Sequence, residues 1–153
     1  MPEEIRTNHR DLPLWELLRG EGPVLAVALH SGHHVRPDVE RHLALSPTER
    51  LREQDPYTDL WTPVGDSALA VRRSRFEVDL NRPRDQAVYL EPEDAWGLEV
   101  WSEPPPEEVV ESSLALYDAF YTEVEAVLRT LESRFGAFVV FDLHSYNHRR
   151  GGP

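Results

Sequence analysis

The sequence contains no cysteine and no lysine, so all 16 of its basic residues are arginines. The absence of cysteine excludes a disulfide scaffold, a thiolate nucleophile and a cysteine-based zinc finger. The absence of lysine excludes a mechanism that forms a Schiff base on a lysine amine. These chemistries are ruled out before any motif is considered.

Positive charge is also scarce, because 28 acidic residues outnumber the 16 arginines and give a formal net charge of −12. Nucleic acids and anionic membrane surfaces require a cationic face, so we expect neither as a partner. The apolar run at 24–29 is too short to span a membrane, and no basic stretch precedes it as in a signal peptide. We therefore expect a cytoplasmic protein.

The length of 153 residues suits one domain with a core of its own, which we place at 1–153. The 13 prolines are densest between Pro83 and Pro106. Because apolar residues continue between these prolines, the segment indicates long ordered connections rather than disorder.

Hydrophobic patterns predict an α/β fold, with a mostly parallel or mixed sheet flanked by helices. Two continuous apolar runs, at 24–29 and 137–141, are typical of strands buried on both faces. Apolar residues at helical spacing from 114 to 135 predict a long helix that begins near Pro105 or Pro106 and stops at Gly136. Strand, helix and strand in this order favour a parallel sheet.

Shorter segments are interpreted in the same way. We expect a loosely docked arm with one or two helical turns at 1–22, a short helix at 37–45 and a strand at 67–71. At 76–80, apolar residues alternate with acidic ones, which predicts a half-exposed strand or extended segment.

Each of the two buried strands is followed by a His-Ser pair, His30-Ser31 and His144-Ser145. Open parallel sheets bind ligands at the carboxyl ends of their strands, so the two histidines are expected to meet at one rim. Two imidazoles and one carboxylate form a set that binds zinc and leaves a fourth position for water. The alternative is that both are loop histidines without a ligand.

The third ligand is expected to be a carboxylate, for which we favour Asp59. Glu53, Asp55 and His33 remain alternatives. Asp142 lies two residues before His144 and is expected to orient that histidine if the stretch is extended.

Asn81-Arg82, at the end of the alternating segment, combines an amide with a guanidinium fork. Such a pair can hold a carboxylate through parallel, charge-assisted hydrogen bonds. The alternative is that the arginines of this region pair only with nearby acids such as Glu77 and Asp79.

Three segments together resemble the signature of the N-formylglutamate amidohydrolase family: His30-Ser31-Gly32, Asp79-Leu80-Asn81-Arg82, and Asp142-Leu143-His144-Ser145-Tyr146. Thr58-Asp59-Leu60-Trp61 resembles a further stretch of that family, and the resemblance spans 24–150. It implies the phosphorylase/hydrolase-like fold of the zinc carboxypeptidases and aspartoacylases. It also implies a zinc-dependent amidohydrolase that acts on N-formyl or N-acyl amino acids, an activity of histidine degradation.

The resemblance also implies residue roles. His30, Asp59 and His144 would bind Zn²⁺ or another divalent metal. Asn81 and Arg82 would bind the substrate carboxylate and Ser145 would line the pocket. Arg75 would polarise the scissile carbonyl, with Arg72 and Arg73 as alternatives.

The related hydrolases are longer than this chain, and their general base lies downstream of the second histidine. Three interpretations therefore stay open: a domain that is incomplete at its C-terminal end, a natural short form, and a member of the family that has lost part of its site. A non-catalytic domain of the same fold that binds a metal or a carboxylate is one alternative function. A structural α/β domain with solvated histidines is another, and it predicts neither a metal nor a pocket between the strand ends.

Overall fold

The computed structural model describes residues 13–147, which form a four-stranded sheet packed against one long helix. The strands are β1 (Trp15–Leu18), β2 (Val24–Ala28), β3 (Ser67–Val71) and β4 (Val139–Asp142), in the spatial order β1-β3-β2-β4. β1 is antiparallel to β3, whereas β3 and β4 flank β2 in parallel. The mixed sheet confirms the predicted fold class.

The helices are α1 (Pro37–Glu40), α2 (Pro47–Glu53) and α3 (Glu107–Phe135), with 3₁₀ helices at Thr58–Val64, Arg84–Gln86 and Pro92–Ala95. A capping box starts α2: the Ser46 hydroxyl accepts from the Glu49 N–H, and the Glu49 carboxylate accepts from the Ser46 N–H. α3 begins directly after Pro106 and ends at Gly136, whose φ of 75° is left-handed. Both predicted ends of α3 are confirmed, while the helix predicted at 37–45 ends at Glu40.

One face of the sheet forms the main core with α3. Phe120, Val127 and Leu131 of the helix are buried against side chains of β2 and β3. Trp15 of β1 extends this core and meets the Phe120 ring edge-on, with the ring centroids 5.3 Å apart. Burial of these large apolar groups is the main stabilising contribution from α3.

A second apolar cluster lies under the segment between β3 and α3. It contains Leu45, Phe76, Tyr89, Ala95 and Val100. The cluster fixes Tyr89 at a buried position.

The prediction of a loosely docked arm at 1–22 is wrong for the part of this segment that the structure describes. Residues 15–18 form strand β1, paired with β3, rather than a helical turn. Trp15 and Leu17 pack against the core, and this burial favours strand pairing over a loose arm. Residues 1–12 lie outside the described residues.

The prediction of a half-exposed segment at 76–80 is also wrong. Glu77 and Asp79 are 0% exposed, and the residues form turns rather than a strand. Glu77 is buried with Arg36 and Arg73, and Asp79 with Arg75. An alternation of acidic and apolar residues indicates a solvent-exposed face only where no cation compensates the burial of the acidic side chains.

The prediction that the run at 137–141 is a strand buried on both faces is wrong with respect to burial. The structure places β4 at Val139–Asp142, where it pairs with β2 and every residue is exposed. Among the described strands, β4 is the last one on its side of the sheet. Within residues 13–147, no helix has the length and apolar character needed to cross a membrane.

Phe120 provides a test of the core. We expect Phe120→Ala to lower the free energy of unfolding by about 3–5 kcal/mol, because it leaves a cavity between α3 and the sheet. Glu132→Ala, at an exposed position of the same helix, is expected to change it by less than about 0.5 kcal/mol. Chemical denaturation measures both, and equal effects would contradict the packing described here.

Candidate metal centre

The carboxyl ends of β2 and β4 lie side by side and bring two distant histidines together. His30 and His144 each follow their strand by two residues, and β2 and β4 are paired in parallel. The centroids of the two imidazole rings are 5.1 Å apart. The expected convergence of His30 and His144 at one rim of the sheet is therefore present.

At Gly32, the loop after β2 lies against the main chain of Arg72, the residue that follows β3. A Cβ on Gly32 would lie 2.2 Å from the carbonyl carbon of Arg72, so only glycine fits without a shift of the main chain. The His34 N–H donates to the Arg72 carbonyl at 3.1 Å in the same region. The glycine of the His-Ser-Gly segment thus fixes the path of the chain immediately after His30.

His30 is buried and has one ring nitrogen available. Its Nε2–H donates to Asp79 Oδ1 at 2.6 Å. Its Nδ1 has no hydrogen-bond partner among the described residues and lies 3.5 Å from Asp55 Oδ2. Because Nε2 is hydrogen-bonded to Asp79, Nδ1 is the ring nitrogen that faces Asp55 and His144.

Asp55 supplies a carboxylate between the two histidines. Its N–H donates to the His30 carbonyl at 3.0 Å, and its Oδ2 lies 2.9 Å from His144 Nδ1. Burial raises the pKa of Asp55, but the hydrogen bond with His144 and the nearby imidazole of His30 outweigh burial and hold that pKa well below its usual range. Asp55 is therefore an anion at neutral pH.

His144 is held from its other side by Asp142, as the two-residue spacing predicted. His144 Nε2 lies 2.8 Å from Asp142 Oδ1. The hydrogen bonds to Asp142 and Asp55 raise the pKa of His144 to about 9. The ring is thus oriented with Nδ1 toward the centre.

His30, Asp55 and His144 form a group whose ligating atoms all lie within 4.8 Å of one another. The buried, unpartnered Nδ1 of His30 is the observation that most directly favours a metal, because an imidazole nitrogen is costly to bury without a partner. Two imidazoles and one carboxylate also match the donor set of catalytic zinc sites. The residues present therefore fit a divalent metal ion.

Asp59, the carboxylate favoured from sequence, is not in this group. Its Oδ2 accepts from Arg72 Nη1 at 3.1 Å, in the first turn of the 3₁₀ helix at Thr58–Val64. Asp55 takes the central place because its main chain is hydrogen-bonded to His30. Asp55 was among the sequence alternatives, but no spacing signal singled it out.

Asp79 supports the centre from behind His30. Its buried carboxylate also accepts from the Asn81 N–H at 2.9 Å, from the Tyr89 hydroxyl and from Arg75 Nη2 at 3.1 Å. Burial raises the pKa of Asp79, but the hydrogen bond and charge of His30, with Arg75 and Tyr89, lower it well below its usual range. Sequence analysis missed this role, although Asp79 stands in the segment that carries the family resemblance.

The structure places Arg75 beside Asp79 rather than in an open site. Its guanidinium donates to the Tyr89 hydroxyl at 2.9 Å, to the Glu53 carbonyl at 3.1 Å and to Asp79. It also lies over the Trp96 ring, 4.8 Å from the centroid. All three of its nitrogens already donate within the protein.

Of the other residues expected to bind substrate, Asn81 and Arg82 lie beside Asp79, and Ser145 follows His144. Arg82 donates to the Asp94 carbonyl at 2.7 Å and stacks over Tyr89 at 4.8 Å, with about a quarter of its side chain exposed. Asn81 is exposed, and Ser145 is half-buried next to His144. A cavity of about 520 Å³ is lined among others by Ser31, Tyr57, Asp59 and Arg72, and its lining includes none of His30, Asp55 and His144.

Comparison with known proteins gives one consistent result. The family model described as N-formylglutamate amidohydrolase matches residues 22–153. The N-formylglutamate deformylase of Pseudomonas aeruginosa is 28% identical over 142 residues, covering 83% of this chain and 53% of that protein. The chain therefore spans about half the length of this curated relative.

Two solved structures share the fold. The crystal structure of an N-formylglutamate amidohydrolase from Ralstonia eutropha JMP134 aligns with a TM-score of 0.73 and 18% identity, covering 88% of this chain and 59% of that one. A gene product of Agrobacterium tumefaciens aligns with a TM-score of 0.71 and 20% identity, covering 95% and 61%. At these identities the two alignments establish the fold alone.

The hydroxyl of Tyr89 provides a test of the support around Asp79. We expect Tyr89→Phe to lower the free energy of unfolding by about 1.5–3 kcal/mol, because it removes a hydrogen bond to a buried charge. Tyr146→Phe, at a residue that is 86% exposed, is the matched control and is expected to have no effect. A Tyr89→Phe protein as stable as the parent in urea titration would contradict the assigned role.

Proposed function

This chain belongs to the N-formylglutamate amidohydrolase family, and on that premise we propose that it is a metal-dependent hydrolase of N-formyl or N-acyl amino acids. The observation that carries the proposal is the convergence of His30 Nδ1, Asp55 and His144 at one rim of the sheet. The proposed substrate is a small molecule, with N-formylglutamate as the first candidate, because the named relatives act on it or are named for it. The proposal includes zinc as the bound metal and the cytoplasm as the location of the protein.

His30, Asp55 and His144 would hold the metal, with Asp55 in place of Asp59. When bound, a zinc ion supplies a Lewis acid and lowers the pKa of a water to about 7. Asp79 and Asp142 fix the orientation of the two imidazoles, so that each presents Nδ1 to the same point. This preorganisation keeps the ligands in place without a rearrangement on binding.

Asn81 and Arg82 would hold the carboxylate of the amino acid, and Ser145 would line its approach to the centre. Arg82 supports this role because about a quarter of its side chain is exposed while Asp94 and Tyr89 fix its direction. A fixed guanidinium binds a carboxylate with little loss of side-chain entropy. Holding the substrate at one end positions its amide at the metal centre.

Arg75 was expected to polarise the scissile carbonyl. We propose instead that it acts through Asp79, because its nitrogens already donate to Tyr89, Asp79 and the Glu53 carbonyl. Burial lowers the pKa of Arg75, but the charges of Tyr89, Asp79 and Asp55 outweigh burial and raise it. Arg75 thus stays cationic and balances the acids behind His30.

A non-catalytic domain that binds a metal and a carboxylate is the second candidate function, because it would use the same residues. Turnover distinguishes the two functions.

Zinc affinity provides the test of the metal ligands. We expect Asp55→Asn to weaken zinc binding by more than roughly tenfold, because it removes a direct ligand, and loss of an outer-shell partner alone typically costs 10–100-fold. Asp59→Asn is the matched control and is expected to leave the affinity unchanged. Competition with a chromophoric chelator measures both, and equal losses would refute the choice of Asp55 over Asp59.

Formate release provides the test of activity. We expect the zinc-loaded protein to release formate from N-formylglutamate, and Arg82→Ala to lower kcat/KM by about tenfold or more through KM, because a hydrogen bond between charged groups is lost. Arg84→Ala removes an exposed arginine paired with Asp118 and is expected to have no effect. Zinc binding without any formate would favour the non-catalytic candidate.

A further inference from the structure

The cavity of about 520 Å³ lies next to the chain segments that carry two of the three proposed metal ligands. Ser31 of its lining directly follows His30. Gln54 and Pro56 of its lining flank Asp55. The volume is typical of a small-molecule site, and the residues proposed to hold the substrate carboxylate are not part of the lining. The cavity is therefore available to a different part of a substrate.

The arginines that line the cavity are already paired with carboxylates. Arg72 donates to Asp59 at 3.1 Å and is also paired with Glu16. Arg50 donates to both carboxylate oxygens of Glu40, at 2.9 and 3.0 Å. Because each guanidinium is compensated within the protein, the cavity offers no uncompensated arginine to an anionic group.

Two buried polar side chains of the lining also have partners. The Ser31 hydroxyl donates to the Val71 carbonyl at 3.3 Å. The Gln54 amide donates to the Ser74 hydroxyl at 2.7 Å. With these donors engaged inside the protein, the cavity favours an uncharged group that needs few hydrogen bonds.

Apolar and aromatic side chains supply much of the remaining lining, namely Pro47, Leu51, Pro56 and Tyr57. Leu51 and Tyr57 are 46% and 72% exposed, so both present apolar surface to solvent. A concave surface of this composition binds apolar groups, because binding removes apolar surface of both partners from water.

The turn that begins at Asp55 places Tyr57 at the cavity. Tyr57 has a φ of 70°, in the left-handed region that is uncommon for residues other than glycine. The Thr58 hydroxyl donates to the Asp55 carbonyl at 2.8 Å, and the Leu60 N–H donates to the Tyr57 carbonyl at 3.0 Å. Backbone conformations of this kind are concentrated at functional sites. One turn thus carries both a proposed metal ligand and an aromatic wall of the cavity.

We propose that this cavity binds the acyl group of the substrate, and that the preferred substrates are N-acyl amino acids whose acyl group is an uncharged aromatic ring. The inference rests on the proposed hydrolase function. A formyl group has a single carbon and would leave the cavity filled with water. With the carboxylate held by Asn81 and Arg82 and the amide at the metal centre, the acyl group is free to enter the cavity.

The side chain of the amino acid is the other free part of such a substrate. An acidic side chain is disfavoured in the cavity, because Asp59 is part of the lining and the arginines are already paired. An uncharged acyl ring meets neither obstacle. The ring would instead pack against Leu51 and Tyr57.

The first experiment compares N-benzoylglutamate with N-formylglutamate on the zinc-loaded protein. We expect kcat/KM to be at least about tenfold higher for the benzoyl substrate, because its ring is buried in an apolar cavity. Tyr57→Gly removes the aromatic wall at a φ that glycine adopts readily, and it is expected to lower the benzoyl-to-formyl ratio of kcat/KM by about tenfold. Trp61→Ala, at a 51% exposed residue outside the lining, is the matched control and should leave the ratio unchanged.

The second experiment measures binding without turnover. N-benzylglutamate carries the ring and the carboxylates but has an amine in place of the amide, so it cannot be hydrolysed. We expect its Kd to be at least about tenfold lower than that of glutamate, with nuclear Overhauser contacts between its ring and the Leu51 methyl groups. Equal affinities, or ring contacts only with residues outside the cavity, overturn the proposal.

N-formylphenylalanine tests the orientation of the substrate, because it carries its ring on the amino-acid side chain. If Tyr57→Gly lowers its turnover as much as that of N-benzoylglutamate, the cavity holds the side chain and the proposal is wrong. A Tyr57→Gly effect confined to N-benzoylglutamate supports the proposal.

Failure of the cavity assignment is distinguishable from failure of the proposed function. Hydrolysis of N-formylglutamate without any preference for the benzoyl substrate overturns the cavity assignment alone. If no N-acyl amino acid is hydrolysed but the ring of N-benzylglutamate contacts Leu51, the hydrolase function fails while binding in the cavity is supported.

Discussion

The buried carboxylate of Asp79 is the interaction on which the site and its surroundings depend. It is 0% exposed and accepts hydrogen bonds from a histidine, a tyrosine, an arginine and a main-chain amide. Burial of an anion is costly unless hydrogen bonds and cations compensate it, and these donors together lower the cost of burying Asp79. The carboxylate thus joins the end of β2, the turns at 76–82 and Tyr89 in the second apolar cluster.

The same constraint explains where sequence analysis of the fold failed. Continuous apolar runs located β2 and β3, and helical periodicity located α3 with its ends, because burial of apolar groups dictates those patterns. Glu77 and Asp79 carry the pattern of a solvated face, yet arginines distant or adjacent in sequence bury them. Pairing of buried charges is a tertiary property, and no local periodicity reports it.

The site was predictable to the extent that topology determines it. Two strands with polar ends, expected to be parallel, were enough to bring His30 and His144 together. The choice between Asp55 and Asp59 depended on a main-chain hydrogen bond from Asp55 to the His30 carbonyl, which has no sequence signature. The hydrogen bonds of Arg75 could not be predicted from sequence either, because its partners Tyr89 and the Glu53 carbonyl come from other segments.

The central strand β2 pairs with two strands that are distant in sequence, and this affects the order in which the protein folds. β2 pairs with β3 across about 40 residues of chain and with β4 across more than 100. Closing the longer loop carries the greater entropic cost, so contacts of high sequence separation form late. During synthesis, the ligand set remains open until the last of its three members has emerged from the ribosome and β4 has joined the sheet.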